Sequence, residues 1–250
     1  MIRLENVHLS FGEKDVLRGI SLSFPGDDRL VILGESGIGK STILKVILGL
    51  LRPNRGRVLL DGKDIHLLSE RELTQLRKSL AVVFQGGALF DSMTVGENVG
   101  YRLFEEGKLS AAEIEAHVRD LLVEVGLEDA IDLFPAELSG GMRKRAALAR
   151  AIAANPRYIL FDEPTAGLDP VASFQVNQLI LRCQKNGKAT VVVTHDLECA
   201  FRVGGRLMLI HDGRIVFEGD REALENSGEP SVRRFLNPAE TLASGQRRES

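Results

Sequence analysis

Apolar and polar residues alternate from the start of the chain, Ile2-Arg3-Leu4-Glu5-Asn6-Val7-His8-Leu9, with the period of two that lays one face of a strand on a core. The pattern predicts a strand over residues 2–11 and another over 57–60, ending at the turn pair Asp61-Gly62, so the first part of the chain reads as antiparallel β-structure. Other segments do not alternate. Leu30-Val31-Ile32-Leu33 and residues 80–84, 158–162 and 190–194 are short runs rich in Val, Ile and Leu, as expected of parallel strands covered on both faces, with helices between them. Residues 206–210 and 214–218, joined through Asp212-Gly213, predict a hairpin.

Between Met93 and Pro156 the pattern becomes helical. Ser110-Ala111-Ala112-Glu113 is a capping box, and Ile114, Val118, Leu121, Leu122 and Val125 then recur on one helix face until Gly126 offers a left-handed stop. Ser69-Glu70-Arg71-Glu72 is a second capping box, opening a helix toward Ser79. Further helices are expected over residues 42–51 and 142–154. The whole predicts an α/β fold: a mixed central sheet with an antiparallel part and a helical subdomain at about 92–155, all in one domain over 1–240, with a polar, mobile tail over 241–250.

Composition narrows the setting. The longest apolar runs are strand-sized, well short of the ~20 residues a bilayer-crossing helix needs, and no basic region followed by an apolar core opens the chain, so cytosolic residence without an export signal is expected. Cys183 and Cys199 have no metal or redox spacing and read as buried or half-buried thiols. A formal net charge of -3 provides no bulk attraction for nucleic acid, so an anion must be held by local donors.

Such donors are present. Gly34-Glu35-Ser36-Gly37-Ile38-Gly39-Lys40-Ser41 fits the phosphate-binding pattern G-x-x-x-x-G-K-[ST], between an apolar run and a helical stretch opening at Thr42. The glycines let the backbone approach phosphates with its N–H groups turned inward, Lys40 adds a point charge, and Ser41 offers a hydroxyl to Mg²⁺. Asp162 ends a buried strand, where a carboxylate is costly unless it meets a cation, and Mg²⁺ held through water is the natural partner. Glu163 is the candidate general base for an attacking water; a solvated Asp-Glu pair capping a strand is the alternative reading of that dipeptide.

With these segments, Leu138-Ser139-Gly140-Gly141-Met142 and Pro164-Thr165-Ala166-Gly167-Leu168-Asp169 complete a set that resembles the ATP-binding cassette (ABC) family of ATPases over nearly the whole chain. The resemblance implies a P-loop NTPase fold of the ABC type, with ATP and Mg²⁺ as its ligands. It implies that Ser139 and the amides of Gly140 and Gly141, at the start of the 142–154 helix, bind the γ-phosphate of an ATP held by a second copy, and that Asp169 braces that facing copy. Gln85 corresponds to the glutamine that reaches Mg²⁺ and the attacking water, and His195 to the histidine that touches the γ-phosphate. Phe11 matches the position that stacks on adenine, with Val16 as an apolar wall; an aromatic at the end of a first strand is as often core, and both readings stand. Met142 replaces the usual Gln, and Ala166-Gly167 replaces Ser-Ala.

The run Gly86-Gly87-Ala88-Leu89-Phe90-Asp91-Ser92-Met93-Thr94-Val95-Gly96-Glu97-Asn98 resembles ATPases of Mla-type lipid transport systems, which serve permeases linked to MCE proteins. So does the stretch 229–238, where Phe235 and Leu236 are candidate anchors on a partner subunit. Leu89, Phe90 and Met93 either line a groove for a helix of an integral membrane permease or pack the helical insert. One set of motifs implies a homodimer around two ATP; the resemblance implies a place peripheral on the cytoplasmic face of the inner membrane, with an MCE-type substrate-binding protein as indirect partner, and no nucleic acid partner is expected. A soluble ABC ATPase outside transport is the alternative; such proteins carry two cassettes or a long coiled-coil insert, and neither is seen here.

Overall fold

The computed structural model describes residues 1–237. In chain order its strands are β1 (Ile2–Phe11), β2 (Lys14–Phe24), β3 (Arg29–Leu33), β4 (Arg55–Leu60), β5 (Lys63–Asp64), β6 (Leu80–Val83), β7 (Tyr158–Asp162), β8 (Ala189–Thr194), β9 (Arg206–His211) and β10 (Arg214–Gly219). The α-helices are α1 (Lys40–Ile47), α2 (Glu70–Arg77), α3 (Val95–Glu106), α4 (Ala111–Glu124), α5 (Gly140–Ala153), α6 (Pro170–Lys185), α7 (Leu197–Val203), α8 (Arg221–Glu225) and α9 (Pro230–Leu236). The described chain divides into two compact units, one of Met1–Leu68 with residues 193–237, the other of Ser69–Val192.

In the first unit β2, β1, β4 and β5 form an antiparallel sheet in that order. Ile2 faces Phe24 on one side and Leu60 on the other, and all three are buried. The alternation of β1 breaks once: the register shifts between Leu4 and Val7, with Asn6 at φ 47°, so a bulge returns Val7 and Leu9 to the buried face. Its partner β2 carries the same break, Leu17 to Ile20, which hides the strand from a period-two reading. A second sheet runs from β10 through β9 and β3 to the end of β8, with β3 and β9 parallel and β9 and β10 a hairpin turning at Asp212 (φ 47°) and Gly213 (φ 70°).

Helix α1 occupies Lys40–Ile47 rather than the expected 42–51. It ends in a Schellman motif: Gly49 is left-handed at φ 66° and donates to the Val46 carbonyl at 3.0 Å, while the Leu50 N–H donates to the Lys45 carbonyl at 2.9 Å.

In the second unit the start of β8 leads to β7 and β6, and β6 and β7 are parallel, from Leu80 beside Tyr158 to Val83 beside Phe161. Every residue of β7 is buried, as an unbroken apolar run ending in one carboxylate requires. Helix α3 packs on α4 and α5. Ser69–Glu72 and Ser110–Glu113 form the anticipated capping boxes, and Thr94–Glu97 forms a third at the start of α3. The apolar stripe of α4 buries Val118, Leu121 and Leu122, and Gly126 follows its end at φ 66°. Helix α5 begins at Gly140, two residues earlier than expected, because Ser139 caps it and both glycines join its first turn.

Candidate functional site

The phosphate-loop pattern lies in the first unit, between β3 and α1. Helix α1 starts from Gly39, at φ 110°, without a side-chain cap. Every other α-helix among the described residues starts with a side-chain oxygen accepting a backbone N–H. The dipole and first amides of α1 therefore face a loop that supplies no capping carboxylate or hydroxyl of its own at that position, the arrangement that favours an anion. No larger residue fits at position 39: a Cβ there would lie 2.9 Å from Val16 Cγ1 and 3.2 Å from the Val16 carbonyl oxygen. Val16, half-buried on β2, thus roofs the loop, and a Cβ at Gly34 would lie 2.9 Å from the Ile210 carbonyl oxygen. Lys40 is only 4% exposed, and its ammonium donates to the carbonyls of Gly34 at 2.8 Å and Glu35 at 3.0 Å. Glu35, Ser36 and Gly37 are exposed, and Ile38, Ser41 and Thr42 are half-buried. A close-packed loop, an uncapped helix start and a lysine folded onto the loop together fit phosphate groups.

The same unit carries Phe11 and His195. Phe11 is 52% exposed at the end of β1, so it is no core residue. His195 is exposed in the turn from β8 to α7, where Thr194 Oγ1 accepts the Asp196 N–H at 3.0 Å and Asp196 caps α7 by accepting the Glu198 N–H at 2.9 Å.

In the second unit Asp162 and Glu163 leave the end of β7 at 7% and 8% exposure. Glu163 is left-handed, φ 48°, a conformation that costs a residue with a Cβ roughly 1–2 kcal/mol. Its carbonyl oxygen accepts from Lys144 Nζ at 2.8 Å and from the Ala166 N–H at 3.2 Å. Ser139 Oγ accepts the Met142 N–H at 3.2 Å, and Asp169 caps α6 by accepting the Val171 and Ala172 N–H groups at 2.9 Å each. A Cβ on Gly141 would lie 2.9 Å from Ala172 Cβ, so the serine-glycine turn and the Asp169 turn lie side by side.

Gln85 is exposed after β6, and the segment behind it is tightly held. Arg150 on α5 donates to the carbonyls of Gly87 at 3.0 Å and Ala88 at 2.8 Å, with Ala88 at φ 49°, and its guanidinium lies 5.6 Å from the centre of the Phe90 ring. Burial lowers the pKa of Arg150 from its ordinary value. Asn98, fully buried on α3, accepts the Phe90 N–H at 2.8 Å and donates to the carbonyls of Phe90, Met93 and Thr94 at 3.1, 3.1 and 2.9 Å. Sequence reasoning gave these two residues no role; an asparagine on the buried face of an amphipathic helix was the signal available. Leu89 and Met93 are half-buried, and Phe90 is 42% exposed with its ring 5.0 Å from that of Tyr101 on α3. Beside them a groove of about 560 Å³ runs along α3 and α4 over Gly100, Tyr101, Ile114 and Val118, with Glu97, Glu105, Glu115 and Asp132 at its edge.

This combination of a mixed sheet, a phosphate loop and a serine-glycine helix start defines a P-loop nucleotide-binding protein built as an ATP-binding cassette. The chain belongs to the ABC transporter family, whose profile matches residues 17–166. It is 42% identical over 237 residues to the "Probable ribonucleotide transport ATP-binding protein mkl" of Mycobacterium tuberculosis, covering 94% of this chain and 66% of the relative. It thus spans just under two thirds of the length of that relative. It is 39% identical over 238 residues to the intermembrane phospholipid transport system ATP-binding protein MlaF of Escherichia coli, covering 95% of this chain and 88% of the relative. Among solved structures, the ATP-binding cassette MJ0796, dimeric in a post-hydrolysis state with ADP and Pi, superposes with a TM-score of 0.81 at 34% identity over 88% of this chain and 98% of that one.

Proposed function

We propose that the chain is the ATP-hydrolysing subunit of a membrane transporter, acting as two copies with ATP between them to drive a permease that moves phospholipid or another lipid in partnership with MCE-type proteins. The observation that carries this reading is the phosphate loop with its uncapped helix and buried Lys40, in a chain of the ABC transporter family. Residues Gly34, Glu35, Ser36, Gly37, Ile38, Gly39, Lys40, Ser41 and Thr42 hold the phosphates, and Phe11 and Val16 flank the adenine. Ser41, Gln85 and Asp162 are the oxygen donors for Mg²⁺, which when bound offsets phosphate charge. Glu163 takes the proton of the attacking water, and His195 contacts the terminal phosphate. Ser139, Gly140, Gly141 and Asp169 act on the nucleotide face of the opposite copy; the dimeric ADP- and Pi-bound cassette MJ0796 supports pairing. The chain is taken as one ABC domain over 1–240 with its helical part at about 92–155; the tail assigned to 241–250 lies outside the described residues.

No helix among the described residues is long and apolar enough to cross a membrane. In the proposed assembly a membrane permease holds this chain at the cytoplasmic face of the inner membrane. The groove along α3 and α4, bordered by Met93, suits a short amphipathic helix of that permease. The name of MlaF supports lipid as cargo, whereas that of mkl specifies ribonucleotide. Affinity isolation of the intact complex from membranes decides between them. A membrane permease with co-isolated phospholipid and ATP-dependent phosphate release is expected; isolation without any membrane protein would favour an ABC ATPase outside transport.

A further inference from the structure

We infer that Lys144 is a positioning residue for the reaction: it holds the backbone of Glu163 in the conformation from which that carboxylate acts. The inference rests on Glu163 being the general base. Lys144 is on α5 and only 6% exposed, and its Nζ donates to the Glu163 carbonyl oxygen at 2.8 Å. A buried ammonium is costly, and a helix facing the end of β7 needs no lysine for packing alone. What the ammonium holds is a residue in a disfavoured state, since Glu163 has a φ of 48° although it is no glycine.

The strain and the hydrogen bond belong together. The Glu163 carbonyl has two donors, Lys144 Nζ at 2.8 Å and the Ala166 N–H at 3.2 Å, which fix the peptide plane after Glu163 and with it ψ. Without the charge-assisted bond, ψ at Glu163 is held less firmly, which shifts the direction in which the carboxylate leaves the strand. A displacement on the order of 1 Å at a reacting group can cost about 10²-fold in rate. Lys144 also lies five residues along the helix that Ser139 caps, about 7.5 Å of rise, so the serine-glycine turn and the support of Glu163 share one rigid element.

The test compares the purified full chain with Lys144→Met, Lys144→Gln, Lys144→Arg and Glu163→Gln in ATPase kinetics, direct ATP titration and thermal melting. Lys144→Met is expected to lower kcat about 10- to 100-fold with ATP affinity unchanged within about twofold. Lys144→Arg, which keeps a long donor, should recover a large part of the loss, and Lys144→Met added to Glu163→Gln should lower kcat no further. Wild-type kcat in Lys144→Met, a parallel loss of binding and melting temperature, or no recovery with arginine would each overturn the assignment. If Lys144→Met does not fold, Lys144→Gln replaces it: at least a threefold fall in kcat with intact ATP binding supports positioning, and unchanged kcat overturns it. Full turnover in Glu163→Gln would instead sink the reading of Glu163 as base, which separates the two failures.

Discussion

Cys183 shows how burial alone sets a side chain's chemistry. It is packed in α6, and loss of solvent, followed by the nearby Glu124 carboxylate, pushes its thiol from 9.0 to about 12. Because the folded state holds this proton more tightly than the unfolded chain, the contribution to stability is constant below pH 9.0 and declines as pH rises from 9.0 toward about 12. Iodoacetamide at pH 8 is expected to leave Cys183 unmodified in the native protein and to label it once the chain is denatured; rapid native labelling would show that α6 opens readily. The same logic of environment over identity applies to Lys40 and Lys144. Both are buried lysines donating to backbone carbonyls, but one ammonium lies on the phosphate loop and the other behind the carboxylate strand.

Among the elements, α3 and α5 do the most to organise the chain around Gln85. Asn98 satisfies four backbone groups of residues 90–94, and Arg150 two more at 87–88, so an irregular segment is held as firmly as a helix. Asn98→Ala removes these partners together and is expected to destabilise the second unit by about 2 kcal/mol or more, read as a lower denaturant midpoint. A loss under about 0.5 kcal/mol would mean that the segment is held by Arg150 and packing instead. The capping boxes at Ser69 and Ser110 were legible because four consecutive residues contain the whole device. The bulged strand β2 was not, since its three-residue step from Leu17 to Ile20 matches the bulge in β1, which no local window shows.

For the whole molecule, the proposed cycle requires a second copy. The start of α5 is capped within the chain by Ser139, and the proposed contact of Ser139, Gly140 and Gly141 with a phosphate is one that the opposite copy's nucleotide would have to supply. Glu163→Gln keeps the phosphate loop intact but removes the proposed base, and ATP should therefore convert this variant to a lasting dimer on size-exclusion chromatography while phosphate release falls at least 10²-fold. A monomer at saturating ATP would argue against the sandwich.

Local order was decided by the sequence itself: the alternation of the first strand, the strand-loop-helix around Gly34 to Lys40, the capped helices of the middle, and the closing hairpin, because each depends on residues close together in the chain. The tertiary structure alone decided what side chains far apart in sequence do together: Val16 closing over Gly39, Asn98 and Arg150 holding the loop after Gln85, and Lys144 supporting a left-handed Glu163. Contacts of that kind carry no periodicity, and their strength comes from burial, which exists only after the chain has packed.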